Sequence, residues 1–245
     1  MKTVIITGGS KGIGAAISEE FSQNGWTVFI GARHDNNMTG DNMHFVKIDV
    51  CEEEGHQTIA KAAMEETGSI DAYINCAGYS QWKPLAEITE DFWNSMIDTN
   101  LKGTMWGCKV AAQYLSQQGC IINISSLAGK RGSANNSVYC ASKFGVNGLT
   151  QALAKELGEK GIRVNAICPV YVKTEGVLEA LKDQNSPARG RNVQKYLEEF
   201  AQQQCALGRL PEGKEVAQAC LFFASDSARA ITGQSINVDC GALPQ

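Results

Sequence analysis

In the stretch SVYCASKFG, Tyr139 and Lys143 stand four residues apart, so a helix would carry the phenol and the ammonium on one face. A phenol with a pKa near ~10 is a poor base at neutral pH. A nearby ammonium favours the phenolate and lowers that pKa, giving a proton donor or acceptor tuned toward working pH. The same spacing also suits a tyrosine packed on the stem of a surface lysine, so the pair needs company. Ser126 ends the apolar run IINISS. At the C-terminal end of a parallel strand it would sit where such sheets bind ligands, its hydroxyl free to hold a substrate oxygen. Capping the turn after the strand is the other role open to it, as it is to Ser125. Asn100, in DTNLKG, falls inside a long helical segment. Asparagine is a poor helix former, so its presence asks for a reason.

A second group of residues opens the chain. VIITGGSKGIG sets an apolar run, then Gly8, Gly9, Gly12 and Gly14, then an amphipathic segment. Glycines let a backbone turn sharply and approach a ligand closely. The helix that follows aims free N–H groups and the positive end of its dipole at whatever sits there, and a pyrophosphate fits that description. A plain glycine-rich turn would look similar. The spacing is G-x-x-x-G-x-G, not the common G-x-G-x-x-G.

The elements that must position these groups are short apolar runs alternating with helix-length segments. The strands expected are Thr3–Thr7, Thr27–Gly31, His44–Ile48, Ala72–Asn75, Ile121–Ile124, Arg163–Ile167 and Ser235–Val238. Several are unbroken Val/Ile runs, the signature of strands buried on both faces. The helices expected are Gly12–Asn24, Glu53–Glu66, Glu90–Gln117, Val138–Lys160, Asn192–Gln204 and Lys214–Ala224. Strand and helix in alternation imply an α/β fold: a parallel sheet with helices on both faces. No linker, repeat or low-complexity segment divides residues 1–245, so one domain is expected. The polar stretch Lys173–Pro211 reads as a lid or binding loop with short helices.

Composition excludes several alternatives. The 245 residues are 43% hydrophobic and 20% charged, near the soluble average, and the net charge of −4 leaves no basic footprint for nucleic acid. No apolar run reaches the length of a membrane span. The N-terminal run is too short for a signal-peptide core. The nine cysteines are odd in number and none is spaced C-x-x-C, so reduced, mostly buried thiols in the cytosol are expected, with no disulfide framework and no metal site.

Taken together these residues resemble the short-chain dehydrogenase/reductase family, in its single-domain branch, over essentially the whole chain. TGGSKGIG resembles the family's cofactor-binding TGxxxGxG, NCAG (Asn75 to Gly78) its NNAG, and Ser126, Tyr139 and Lys143 its serine and YxxxK. Asn100 matches its helix asparagine, and ITGQSINVDCG its C-terminal strand region. The resemblance implies a doubly wound, Rossmann-like sheet of about seven strands in the order 3-2-1-4-5-6-7. It implies interconversion of a carbonyl and a secondary alcohol by hydride transfer with a nicotinamide cofactor. Tyr139 would be general acid/base, Lys143 would lower its pKa and hold the nicotinamide ribose, Ser126 would orient the substrate oxygen, and Asn100 would hold a relay water. Gly8, Ser10, Lys11, Gly12, Ile13, Gly14, Asp49, Val50, Asn75, Ala77, Gly78, Pro169, Val172 and Thr174 would join Tyr139 and Lys143 in binding the cofactor. Two departures stand out: Val170 follows Pro169 where the family has glycine, and Cys240 replaces a glycine near the end. Valine dislikes positive φ, so the backbone at 170 is expected to stay ordinary and its side chain to narrow the substrate pocket.

The end of the second strand carries Ala32 and then Arg33, not an acid that would repel a 2′-phosphate. Arginine suits phosphate, and Lys11 is a second cation near by, so NADP(H) is expected over NAD(H). Only eleven residues, Arg33 to Met43, separate strands two and three, and they favour turns. Extended, they reach about 36 Å. The crossover helix is therefore expected to be missing or shortened.

The substrate loop is placed at about 171–209. Its Lys173, Lys182, Arg189, Arg191 and Lys195 are interspersed with Glu175, Glu179 and Asp183, which reads as a mixed-charge face more than an anion site. Tyr79, Trp82 and Tyr171 are candidate pocket walls. The expected partner is a small carbonyl or alcohol substrate, with no nucleic acid and no membrane. The resemblance implies a homotetramer or homodimer through the two long helices, in the cytoplasm. The alternatives are an NAD-dependent sugar, polyol or alcohol dehydrogenase working oxidatively, and a non-catalytic NADP-binding sensor or scaffold. The last has no need of Asn100, Ser126, Tyr139 and Lys143 together.

Overall fold

A computed structural model describes residues 2–35, 38 and 40–244. Seven parallel strands form one sheet in the order β3-β2-β1-β4-β5-β6-β7. In chain order they are β1 (Thr3–Thr7), β2 (Thr27–Ala32), β3 (Met43–Lys47), β4 (Ile70–Asn75), β5 (Leu115–Ile124), β6 (Arg163–Pro169) and β7 (Ser235–Val238). The helices are α1 (Gly12–Gln23), α2 (Glu53–Thr67), α3 (Glu90–Ile97), α4 (Gly103–Tyr114), α5 (Ser137–Leu157), α6 (Glu175–Ala180), α7 (Val193–Gln204) and α8 (Gly213–Phe223).

Alternation along the central strands divides the core. Val4 and Ile6 of β1 face the side covered by α1 and α8, with Ile17, Phe21, Val216 and Phe223. Ile5 faces the other side, with Ile59 of α2, Val110 of α4 and Ala154 of α5. Both faces are therefore apolar, which is why these strands read as unbroken Val/Ile runs. A third cluster lies under α6 and α7, where Trp82, Leu181, Leu197 and Leu210 are buried. The nine cysteines are all free thiols.

Two expectations are corrected. The segment Glu90–Gln117 is not one helix: α3 and α4 are joined by a π-helical turn, Asp98–Lys102, and the helix ends at Tyr114. From Leu115 the chain is already in β5, because Leu115 pairs with Ile70 and the Ser116 hydroxyl donates to the Ile70 carbonyl at 3.1 Å. Polar SQQG carries no strand pattern of its own, and the register shifts across it: Leu115 pairs with Ile70, and pairing resumes at Cys120 with Ala72. The substrate loop also holds α6, which Thr174 caps by accepting from the Val177 amide at 3.4 Å.

Between β2 and β3 the described residues contain no helix, as expected; Asn36, Asn37 and Thr39 lie outside the described residues. Asn42 fixes the far end of this crossover. Its amide donates to the carbonyls of Ser22 and Trp26 at 3.0 and 2.8 Å, and its Oδ1 accepts from the Ser22 hydroxyl at 2.7 Å. The end of α1 thus does the anchoring that a crossover helix would otherwise do. Val170 keeps an ordinary φ, whereas Cys240 adopts +53°, a conformation that favours glycine.

Candidate active site

The glycines of the first turn are required by close approach. Gly8 has φ +69°, and a Cβ there would lie 2.7 Å from the Ala77 Cα. A Cβ on Gly14 would meet the Gly8 carbonyl oxygen at 2.1 Å. Ser18 ties the turn from within, donating to the carbonyls of Gly9 and Gly14 at 3.0 Å each. The turn therefore presses on Ala77, just past the end of β4, on the C-terminal edge of the sheet. Thr7, which sequence reasoning passed over, joins the two: its hydroxyl accepts from the amides of Cys76 and Ala77 at 3.2 and 3.5 Å. Its position as the last residue of a strand before a glycine turn was the available signal.

Gly12, at φ +57°, faces Thr174, whose methyl would be 3.4 Å from a Cβ. The loop after β6 thus closes on the glycine turn. Lys11, at the N-cap of α1, makes no side-chain cap, so the helix start keeps donors of its own to offer. Lys11 and Gly12 are exposed, Ile13 is half-buried and Ser10 is buried. Arg33 is exposed just past β2. Asp49 and Val50 follow β3 beside it, since the Ile48 amide donates to the Ala32 carbonyl at 3.0 Å. A glycine cradle against bare backbone, a helix N-terminus and two exposed cations suit a dinucleotide phosphate.

Three of the expected cofactor residues have other duties. Asn75 turns its amide away from this edge, to Asn123 Oδ1 at 2.9 Å and Cys108 Sγ at 3.5 Å. That buried contact bridges β4, β5 and α4 through the Nδ2 group, while the Asn75 Oδ1 is buried without a partner. Val172 buries its side chain in the α1/α8 core and offers only backbone, its carbonyl accepting from the Thr174 amide at 2.7 Å. Pro169 ends β6 in register with Val238.

The four chemical residues meet at the next gap along the same edge. Asn100 occupies the π-helical turn and is fully buried. It brackets Tyr79: Oδ1 accepts from the Tyr79 amide at 3.0 Å and Nδ2 donates to the Tyr79 carbonyl at 2.9 Å. The extra residue of a π turn is what aims the side chain inward. Gly78 lies between, where a Cβ would be 3.0 Å from Asn100 Oδ1 and 3.6 Å from Lys143 Nζ. Lys143 is 5% exposed and donates to the Ile124 carbonyl at 2.8 Å, and its Nζ stands 5.8 Å from the centre of the Tyr139 ring. Ser126 follows Ile124 by two residues, and its hydroxyl accepts from the Ala128 amide at 3.1 Å. It thus caps a turn, and it also hydrogen-bonds the Tyr139 phenol.

Burial pushes the Tyr139 phenol up to about 12, with the Ser126 hydrogen bond acting against it. Burial pushes the Lys143 ammonium down to about 8, opposed by the Cys76 and Cys168 thiols. The expectation that Lys143 brings the phenol down is not met in this geometry. Desolvation dominates the phenol, and the ammonium is held on the Ile124 carbonyl.

A family model described as enoyl-(acyl carrier protein) reductase matches residues 8–242. The chain belongs to the short-chain dehydrogenase/reductase family. Its members are oxidoreductases acting on C=O and CH–OH groups. It is similar to the 3-oxoacyl-(acyl-carrier-protein) reductase FabG of Chlamydia muridarum, 34% identical over 98% of this chain and 96% of the relative. Vibrio cholerae FabG is 31% identical with the same coverage. Among solved structures, the ligand-free aldohexose dehydrogenase of Thermoplasma acidophilum superposes with TM-score 0.90 at 32% identity, over 98% of this chain and 93% of that one. An actinorhodin polyketide ketoreductase variant with NADPH superposes with TM-score 0.88 at 29% identity, over 98% and 97%.

Among the described residues of this family member, no helix is long and apolar enough to cross a membrane. Nor do any three His, Cys, Asp or Glu among them form a group able to hold a metal ion.

Proposed function

We propose that this short-chain dehydrogenase/reductase reduces a ketone, with NADP(H) as the cofactor and a 3-oxoacyl thioester as the substrate class. One observation carries the chemistry: Ser126, Tyr139, Lys143 and Asn100 gather where the ends of β4 and β5 meet α5, one gap from the glycine cradle. When bound, the nicotinamide supplies the hydride. The chain's own residues supply position and the proton. A phenol held up near 12 is protonated at neutral pH, as a proton donor to a carbonyl oxygen must be. Ser126 steadies that oxygen and the phenol together. Lys143, held on the Ile124 carbonyl beside the Tyr139 ring, would hold the nicotinamide ribose. Asn100 holds the Tyr79 backbone beside Lys143 and so keeps the wall of this pocket in place.

Exposed Arg33 and Lys11, and the absence of an acid at Ala32, support NADP(H). The FabG relatives and the NADPH-bound ketoreductase support both cofactor and substrate class. A second reading, oxidation of an aldohexose, rests on the likeness to the Thermoplasma enzyme. The test is Tyr139→Phe. It keeps NADPH binding and loses roughly 10²–10⁴-fold in reduction of acetoacetyl-CoA. Turnover surviving in Y139F overturns the mechanism. Wild-type activity confined to aldohexoses with NAD supports the second reading instead.

A further inference from the structure

His56 is one of the most buried polar residues in the molecule, with 0% exposure, and nothing in the proposed chemistry uses it. It sits on α2, and both ring nitrogens are engaged. Nε2 is 3.0 Å from the Val50 carbonyl oxygen, and Nδ1 is 2.8 Å from the Tyr73 hydroxyl. A carbonyl only accepts, so Nε2 carries the hydrogen; in the neutral ring Nδ1 then accepts from the Tyr73 O–H. Burial holds the imidazole below its ordinary pKa, which keeps it neutral. Tyr73 is itself fully buried on β4, in register with Ile5 and Ile121, so the ring is referenced to the centre of the sheet.

What the ring holds is the turn after β3. Asp49 Oδ1 accepts from the Cys51 amide at 2.9 Å, shaping that turn. Gly55 and Gly103 let neighbours close in: a Cβ on Gly55 would lie 2.6 Å from the Asp49 carbonyl, and one on Gly103 would lie 3.0 Å from the Val50 carbonyl. The Cys51 thiol is 3.7 Å from the Thr99 hydroxyl, in the π turn that carries Asn100. The outer side of the turn holds exposed Asp49, next to the end of β2 and Arg33. The turn is therefore clamped from the interior and open on the ligand edge.

We propose that His56, through its Nε2–H bond to the Val50 carbonyl, is a positioning residue for the dinucleotide, setting the Asp49–Cys51 turn that the cofactor's adenosine half meets. This rests on the reading of the site as a dinucleotide site. His56 touches no cofactor atom itself; its effect is on the shape of the turn that does. A structural histidine would lower stability when replaced and leave the affinity of the folded fraction alone. A positioning histidine changes that affinity selectively.

The experiment is equilibrium titration of NADPH by its fluorescence, on wild type, His56→Leu, His56→Gln and Tyr73→Phe, with melting temperatures alongside. The expected result is an NADPH Kd at least tenfold higher in H56L, while KM for acetoacetyl-CoA changes less than twofold. H56Q, whose amide can still donate to Val50, recovers most of the loss. Y73F, which keeps the Val50 bond but frees the ring, falls between. A folded H56L with NADPH affinity within twofold of wild type overturns the proposal. If H56L does not fold, H56Q decides: an NADPH affinity in folded H56Q tenfold or more below wild type, although its amide can donate to Val50, overturns it. Wild type binding neither NADPH nor NADH would instead remove the dinucleotide reading, a separate outcome.

Discussion

Lys143 states the conflict between stability and chemistry most plainly. An ammonium 5% exposed, held by one carbonyl, is costly to bury, and its depressed pKa measures that cost. Its ordinary value of 10.5 falls to about 8, so the unfolded chain binds this proton more tightly. Stability from this group is therefore lowest below pH 8 and is regained as pH rises toward 10.5. Lys143→Met is expected to melt no lower than wild type at pH 7, with the difference shrinking by pH 10, and to lose turnover. Thermal melts at the two pH values check it. Arg33 has the opposite character: it is exposed and expendable for folding. Charge-assisted hydrogen bonds are worth about 1.5–3 kcal/mol, so Arg33→Ala should weaken NADPH roughly tenfold to a hundredfold and barely move NADH. Parallel titrations measure the ratio.

At the scale of elements, the π turn Asp98–Lys102 does what neither α3 nor α4 could do alone. Asn100→Ala would remove the two part-buried hydrogen bonds to the Tyr79 amide and carbonyl, at about 0.5–1.5 kcal/mol each. The variant is expected to melt several degrees lower, by differential scanning calorimetry, and to lose activity out of proportion. The sequence announced Asn100 as an anomaly within a helix but could not announce the π turn, which is a matter of backbone register. Continuous Val/Ile strands, glycine turns and the lack of a helix among the described residues of the β2–β3 crossover were legible because local composition dictates them. The start of β5 at Leu115 was not, since polar SQQG has no strand pattern and only the Ile70–Leu115 pair, before a register shift, brings β5 this far back. Asn75 shows a similar limit: its place at a strand end is readable, but the partners of its side chain, Asn123 on β5 and Cys108 on α4, are not. His56 carried no signal, because its partners are a distant tyrosine and a backbone carbonyl.

For the molecule as a whole, titration should bound stability on both sides. His56 is held below 6.5 in the folded state, so the unfolded chain takes up its proton first as pH falls through 6.5. Stability then declines below that point, and H56Q should flatten the slope between pH 6.5 and 5. On the alkaline side burial holds Cys76 and Cys108 up to about 12 and Cys120 up to about 11, against an ordinary 9.0. Unfolded thiols ionise first there, so stability falls above pH 9, outweighing the gain from Lys143. Urea melts from pH 5 to 10.5 are expected to show a maximum between about 6.5 and 9.

The short crossover between β2 and β3, without a helix among its described residues, also makes this chain extensible. Gly40 and Asp41 are exposed, and the downstream anchor at Asn42 is independent of what precedes it. Loop closure costs only about 0.6 kcal/mol for each doubling of length. A segment spliced between Gly40 and Asp41 would therefore enter at the N-terminal edge of the sheet, opposite the edge that carries the glycine turn, making this a graft point for new sequence that leaves the site alone.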